Sequence, residues 1–158
     1  MSTWRNFHGQ EIESTLASKI ESDYIRLKAE GHSIRLCIGT DSHIQGEWVI
    51  FATVVVVVLI GNGGFMYVRK IRNRIPLTLK ERMMSEIAYS IEAAMELHDF
   101  AETHKISMEI HADINQNPRF PSYVSYHDAL GYIVGMGYRF VSKPDAFASS
   151  VCADRFCH

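Results

Sequence analysis

The run WVIFATVVVVVLI, Trp48 to Ile60, constrains the fold more than any other stretch. It is too short to cross a bilayer as a helix, which takes roughly 20 residues. Consecutive β-branched valines are stiff and pack well on a pleated surface, so the run predicts a long strand. Gly46 precedes it, and GNGG, Gly61 to Gly64, follows as a strong turn signal. Upstream, SIRLCIGTD alternates: Ile34, Leu36 and Ile38 fall on one face, Arg35, Cys37, Gly39 and Asp41 on the other. Downstream, FMYVRKIRNRI supplies a third strand. Three strands joined by short turns form an antiparallel meander.

Helices surround the meander. Before it, Ile12, Leu16, Ile20, Tyr24 and Leu27 recur at helical spacing over Ser14 to Ala29, and Gly31 is a stop. After it, Pro76 and Thr78 announce a long helix with Met83, Ile87, Ile91, Ala94 and His98 on one stripe. ISMEIHADI reads as a fourth strand, Tyr123 to Met136 as a helix and YRFVS as a fifth strand. KPDAFASSVCADRFC reads as a closing helix with Pro144 in its first turn. A meander followed by crossovers is a mixed α/β sheet with helices on both faces. The arrangement favoured here puts the fourth strand beside the first, parallel to it, away from the second.

The chain has 158 residues, 47% hydrophobic and 22% charged, which predicts one folded domain over 1–158. Its parts are an N-terminal helical extension, 1–30, and a core, 34–156. A net charge of -2 means that any polyanion binding needs a local patch or bound metal. Cys37, Cys152 and Cys157 make no disulfide framework, and MSTWRNFHGQ lacks the basic and apolar regions of a signal peptide. Both observations favour a cytoplasmic protein.

Parallel neighbours end at the same edge of a sheet, so Asp41 and Asp113 are expected to meet at the ends of the first and fourth strands. Alone, each acid could simply stabilise a turn. Together they would raise each other's pKa unless a cation joined them, and a hard divalent ion such as Mg²⁺ or Mn²⁺ suits oxygen ligands. Glu86 lies at the edge of the long helix's apolar stripe. Asp154 falls in line with Phe147 and Val151 on the expected buried face of the last helix, with Asp145 nearly opposite. A carboxylate on an apolar stripe needs a partner or a metal.

The phrases IGTDSH, IHADIN, GYIVGMGYRF, KPDAFASS and CAD, in this order, resemble the DUF458 (YkuK-like) family of predicted RNase H-related nucleases, within the ribonuclease H-like superfamily. The resemblance runs from about Arg35 to about Asp154. It implies a five-stranded sheet of order 3-2-1-4-5 with strand 2 antiparallel. It also implies that Asp41, Glu86, Asp113 and Asp154 hold a two-metal Mg²⁺ or Mn²⁺ site. The expected activity is phosphodiester hydrolysis of RNA, RNA–DNA hybrid or structured DNA, with no membrane partner. Lys143 could steady a phosphate, and His43 and His111 could carry protons. The alternatives are a non-catalytic nucleic-acid-binding or interaction module and, against the lack of a Gly-rich phosphate loop, a nucleotide hydrolase. His43 and His111 could instead suggest zinc, without the usual Cys/His spacing. Arg69, Lys70, Arg72 and Arg74 either track a phosphate backbone or protect an edge strand.

Overall fold

The computed structural model describes residues 2–74, 76–120, 123 and 126–158. The meander is β2 (Ile34–Gln45), β3 (Trp48–Leu59) and β4 (Gly64–Arg74), and β3 holds the valine-rich apolar run. β3 is buried on both faces over most of its length, which explains why it is apolar throughout rather than alternating. β5 (Met108–His111) lies parallel to β2 on the side away from β3, and β6 (Arg139–Val141) lies parallel to β5. The sequence-based order is thus reproduced for these five strands. A sixth strand, β1 (Arg5–Asn6), adds to the outer edge of β4, giving the order β1-β4-β3-β2-β5-β6. Residues 1–30 therefore contribute a short strand as well as a helix.

Two apolar layers sandwich the sheet. On one face lie α1 (Leu16–Ala29), α2 (Leu79–His104) and α3 (Tyr126–Gly135). Leu36, Ile38, Val55, Val57 and Tyr67 pack there against Ile20, Ile87, Ile91, Leu97 and Ile133. Thr15 caps α1, and Thr78 with Glu81 forms a reciprocal capping box at the start of α2. The expected stripe on α2 needs one change: His98 is exposed and Leu97 is buried in its place. Part of the expected Tyr123–Met136 helix lies outside the described residues. No described helix is long and apolar enough to cross a membrane.

The other face is covered by the C-terminal segment, which differs from the expected regular helix. Residues Ala148–Ala153 wind as a π-helix and run into a short α4 (Asp154–Cys157), while Pro144 lies in the turn before them. The wider π turn shifts the phase of the side chains. Val151, expected on the buried stripe, is 66% exposed, whereas Ala148, Ser149 and Ala153 are buried against Cys37, Val54, Val56 and Val68.

That contact depends on Gly39. A Cβ at this position would lie 2.4 Å from the Ser149 nitrogen and 2.5 Å from the Ala148 carbonyl carbon. Gly39→Ala is expected to destabilise the fold by about 1–3 kcal/mol, because the obstructing atoms are backbone and cannot rotate away. Gly131→Ala, on an exposed turn of α3 with no atom within 4 Å, is expected to stabilise by about 0.5–1 kcal/mol. Denaturant unfolding of the two variants checks both signs.

Candidate functional site

The parallel pairing of β2 with β5 stops at Gly39 and His111. β2 does not stop with it. It runs on to Gln45, paired with β3 alone. Asp41 is therefore not at the end of its strand, as expected, but inside a hairpin that overhangs the end of β5. Asp113 follows two residues after β5 ends, at the position that the register would place opposite Asp41. The overhang leaves one side of β2 open at the level of Asp41 and Asp113.

Alternation sends successive β2 side chains to opposite faces. Thr40 and Ser42 face α2. Thr40 Oγ1 lies 2.7 Å from Ser90 Oγ and 2.9 Å from Thr53 Oγ1, and the Ser42 hydroxyl donates to Glu86 Oε1 at 2.5 Å. Arg82, one turn before Glu86, donates to both the hydroxyl and the carbonyl of Ser42 at 3.1 Å. Asp41 faces the C-terminal segment, where it hydrogen-bonds Asp154 and lies 3.9 Å from the Cys157 thiol. Its Oδ1 also accepts the Ser42 amide at 2.9 Å.

Among the described residues no three of the four acids bring ligand atoms within 4.8 Å of one another, although Glu86 lies within electrostatic reach of Asp41. Asp41 meets Asp154. Glu86 and Asp113 line one narrow crevice beside Thr40 and Ser90, with no space for a free water. Asp113 Oδ1 is fully buried and lacks a hydrogen bond of good geometry. Lys143 Nζ lies 2.8 Å from it as an ion pair, approaching off the hydrogen-bonding direction. Lys143, expected near a phosphate, thus neutralises Asp113.

The electrostatics of Asp41 and Glu86 are unfavourable to their charged forms. Burial, and secondly the bond to Asp154, pushes Asp41 up to about 6. Asp154, accepting from Asp41 and paired with His158 at 3.1 Å, is held below the usual carboxylate range, so the pair holds one proton only below about pH 6. Burial pushes Glu86 up to about 8 against the opposing bond from Ser42.

His111 has a different place. Its Nδ1 accepts the Ala148 amide at 3.1 Å, which leaves the ring proton on Nε2, facing Glu109 Oε1 at 3.3 Å. Glu109 also pairs with Arg35 and accepts from the Cys37 thiol at 3.4 Å. Cys37, Glu109 and His111 bring ligand atoms close together. A neutral ring with both nitrogens so engaged has no free lone pair for a metal, and Arg35 already balances Glu109. The network ties the C-terminal segment to β5, and neither zinc binding nor proton carriage fits His111. His43 lies instead near the acids, its ring 4.3 Å from that of His158.

A family model described as ribonuclease H-like matches residues 16–158. The chain belongs to the ribonuclease H-like family. No curated protein and no solved structure matches it. The site neighbours that the sequence reading passed over are Ser42, Arg82, Cys157 and His158. Arg82 was legible as the residue one helical turn before Glu86. The Cys157 contact was hidden by the π turn.

The raised carboxyl pKa values have a consequence for stability. An unfolded Glu ionises near about 4.3, whereas folded Glu86 keeps its proton to about 8. The folded state binds more protons across that window, so stability falls as pH rises through it. In chelator, the Tm is expected to drop by several degrees between about pH 5 and about pH 8, and Glu86→Gln to flatten most of the slope. A Tm that rises over this range contradicts the assignment.

Proposed function

We propose that this ribonuclease H-like chain is a divalent-metal-dependent nuclease that hydrolyses phosphodiester bonds in RNA, RNA–DNA hybrid or structured DNA. The observation that carries the reading is the contact of Asp41 with Asp154 on the face of β2 that the C-terminal segment covers, with Glu86 within electrostatic reach of Asp41 and Asp113 level with it beyond the end of β5. The donor set fits a hard cation. Asp41 is pushed up to about 6 beside Asp154, Glu86 is buried and pushed up to about 8, and Asp113 has a buried oxygen with no well-formed hydrogen bond.

Asp41, Glu86, Asp113 and Asp154 would hold Mg²⁺ or Mn²⁺, with Asp41 the central ligand. Ions bound there supply a water of lowered pKa and neutralise charge that grows on the leaving oxygen. Arg82 and Ser42 hold Glu86 in place. Lys143, partly exposed beside Asp113, can turn to a phosphate once the acid has another cation. His43, on the same face as Asp41, is the histidine placed to carry a proton. The three unpaired cysteines support a cytoplasmic location.

The test incubates purified protein with labelled RNA, hybrid and DNA, with Mn²⁺ and with chelator. Metal-dependent cleavage is expected, with Asp41→Asn slower by at least about 10–100-fold, the loss typical of even an outer-shell partner. No metal-dependent cleavage, or cleavage unchanged in Asp41→Asn, overturns the proposal. Binding without turnover favours the non-catalytic nucleic-acid-binding module.

A further inference from the structure

Directly paired residues of antiparallel strands share a face, so the register extends the face that carries Asp41 across the sheet. Asp41 pairs with Ala52 and Ala52 with Lys70; His43 pairs with Ile50 and Ile50 with Arg72; Gln45 pairs with Trp48 and Trp48 with Arg74. Lys70, Arg72 and Arg74 are all exposed on this face. They begin two strands from Asp41, roughly 10 Å at the usual strand spacing, and follow one another at every second residue. Arg69 is not part of the row. It points to the opposite face, buried, stacked 4.4 Å over Trp4 and paired with Glu96.

Two features set this row apart from charge that only protects an edge. The Arg72 and Arg74 guanidinium groups lie 4.6 Å and 5.2 Å from the partly exposed Trp48 ring, so cation and aromatic surface are presented together. Glu47 pairs with Arg74 at 3.5 Å but is itself exposed. Beside Lys70, a cavity of about 470 Å³ opens between β1 and α4. Phe7 and Phe156 line it edge to face, 6.0 Å apart, with Val68, Lys70 and Arg5 around them, and Arg5 is paired with Glu11. Its size suits one small planar ligand. Aromatic walls with cations at the rim suit a base whose backbone passes outside, and a base enters such a cavity only when unpaired and unstacked.

We propose that this face is a subsite for single-stranded nucleic acid: Lys70, Arg72 and Arg74 hold successive phosphates, Trp48 takes a base on its surface, and the Phe7–Phe156 cavity takes another. The subsite rests on the nuclease reading for its substrate class and narrows it to an unpaired run beside the candidate site. The row runs along β4 beside the overhanging hairpin, so a strand held along it lies parallel to β2, two strands from Asp41 and on the same face.

The test measures fluorescence anisotropy of a labelled mixed-sequence oligonucleotide, single-stranded and as a blunt duplex, in chelator at several salt concentrations. The wild-type chain is expected to bind the single strand at least about tenfold more tightly than the duplex. The triple variant K70Q/R72Q/R74Q is expected to lose at least about tenfold in affinity at low salt, with a salt slope shallower by about 2. Phe7→Ala is expected to erase most of the preference for the single strand and leave the slope unchanged. Equal or tighter duplex binding, or an unchanged triple variant with intact circular dichroism, overturns the subsite. Cleavage with Mn²⁺ is measured on the same proteins. A wild type that cleaves while the triple variant binds normally removes the subsite alone. Binding as expected without cleavage supports the subsite and removes the nuclease reading alone.

Discussion

The C-terminal segment rests directly on β2 because residue 39 has no side chain. With backbone against backbone at Gly39, the Ala148 amide comes within reach of His111, and the π turn that follows carries Asp154 over Asp41. Three buried ties hold this arrangement: the missing Cβ, the amide–imidazole bond and the Cys37–Glu109–Arg35 network beneath it. A buried imidazole that accepts from an amide is a demanding contact, since protonating it would set two donors against each other. Burial accordingly holds His111 below its ordinary pKa. The precision of the Asp41–Asp154 contact thus comes from residues that do not belong to it.

The sheet was legible in the sequence because strand signals here are local. Five valines, two glycine turns and an alternating flank dictate a meander whatever packs on it. The neighbouring position of β5 followed from the handedness and shortness of connections rather than from any residue in β5 itself. What escaped was set by tertiary contact. β1 is two residues long and exists only because the edge of β4 is available to it. The π turn arises where the chain must lie flat on Gly39, and no periodicity of 3.6 could anticipate its phase. Asp154 lies beside Asp41, but the stripe that led to it is not the one observed, since Val151 points to solvent. For the candidate site, residue types and strand order could be read from the sequence. It could not give the pairing of the acids, which depends on β5 stopping at His111 while β2 continues.

The buried acids set stability against binding. Asp41 and Glu86 hold their protons up to about pH 6 and about pH 8, and a cation that bound there would have to displace them. A scaffold that carries such acids needs firm packing elsewhere. α2 provides it on one side through Ile87, Ile91 and Leu97, and the hydroxyls of Thr40, Thr53 and Ser90 satisfy one another between the acids and that core. The polar groups around Glu86 hydrogen-bond with one another, so the strain is confined to the charges themselves.

β4 shows why net charge is a weak guide to this molecule. Its basic residues read as one cluster in sequence, but the pleat divides them. Arg69 turns inward, where its charge meets Glu92 and Glu96 on α2 and its plane covers Trp4. That arginine locks the N-terminal segment and α2 to the sheet. Lys70, Arg72 and Arg74 turn outward, to the face of Asp41. A chain of net charge -2 can therefore present a continuous positive strip beside an acidic centre, because much of its negative charge faces other layers of the fold. Acids that hold a cation and cations that hold a phosphate must stand apart to avoid pairing with each other. Ala52, small and uncharged between Asp41 and Lys70, keeps that separation at two strands.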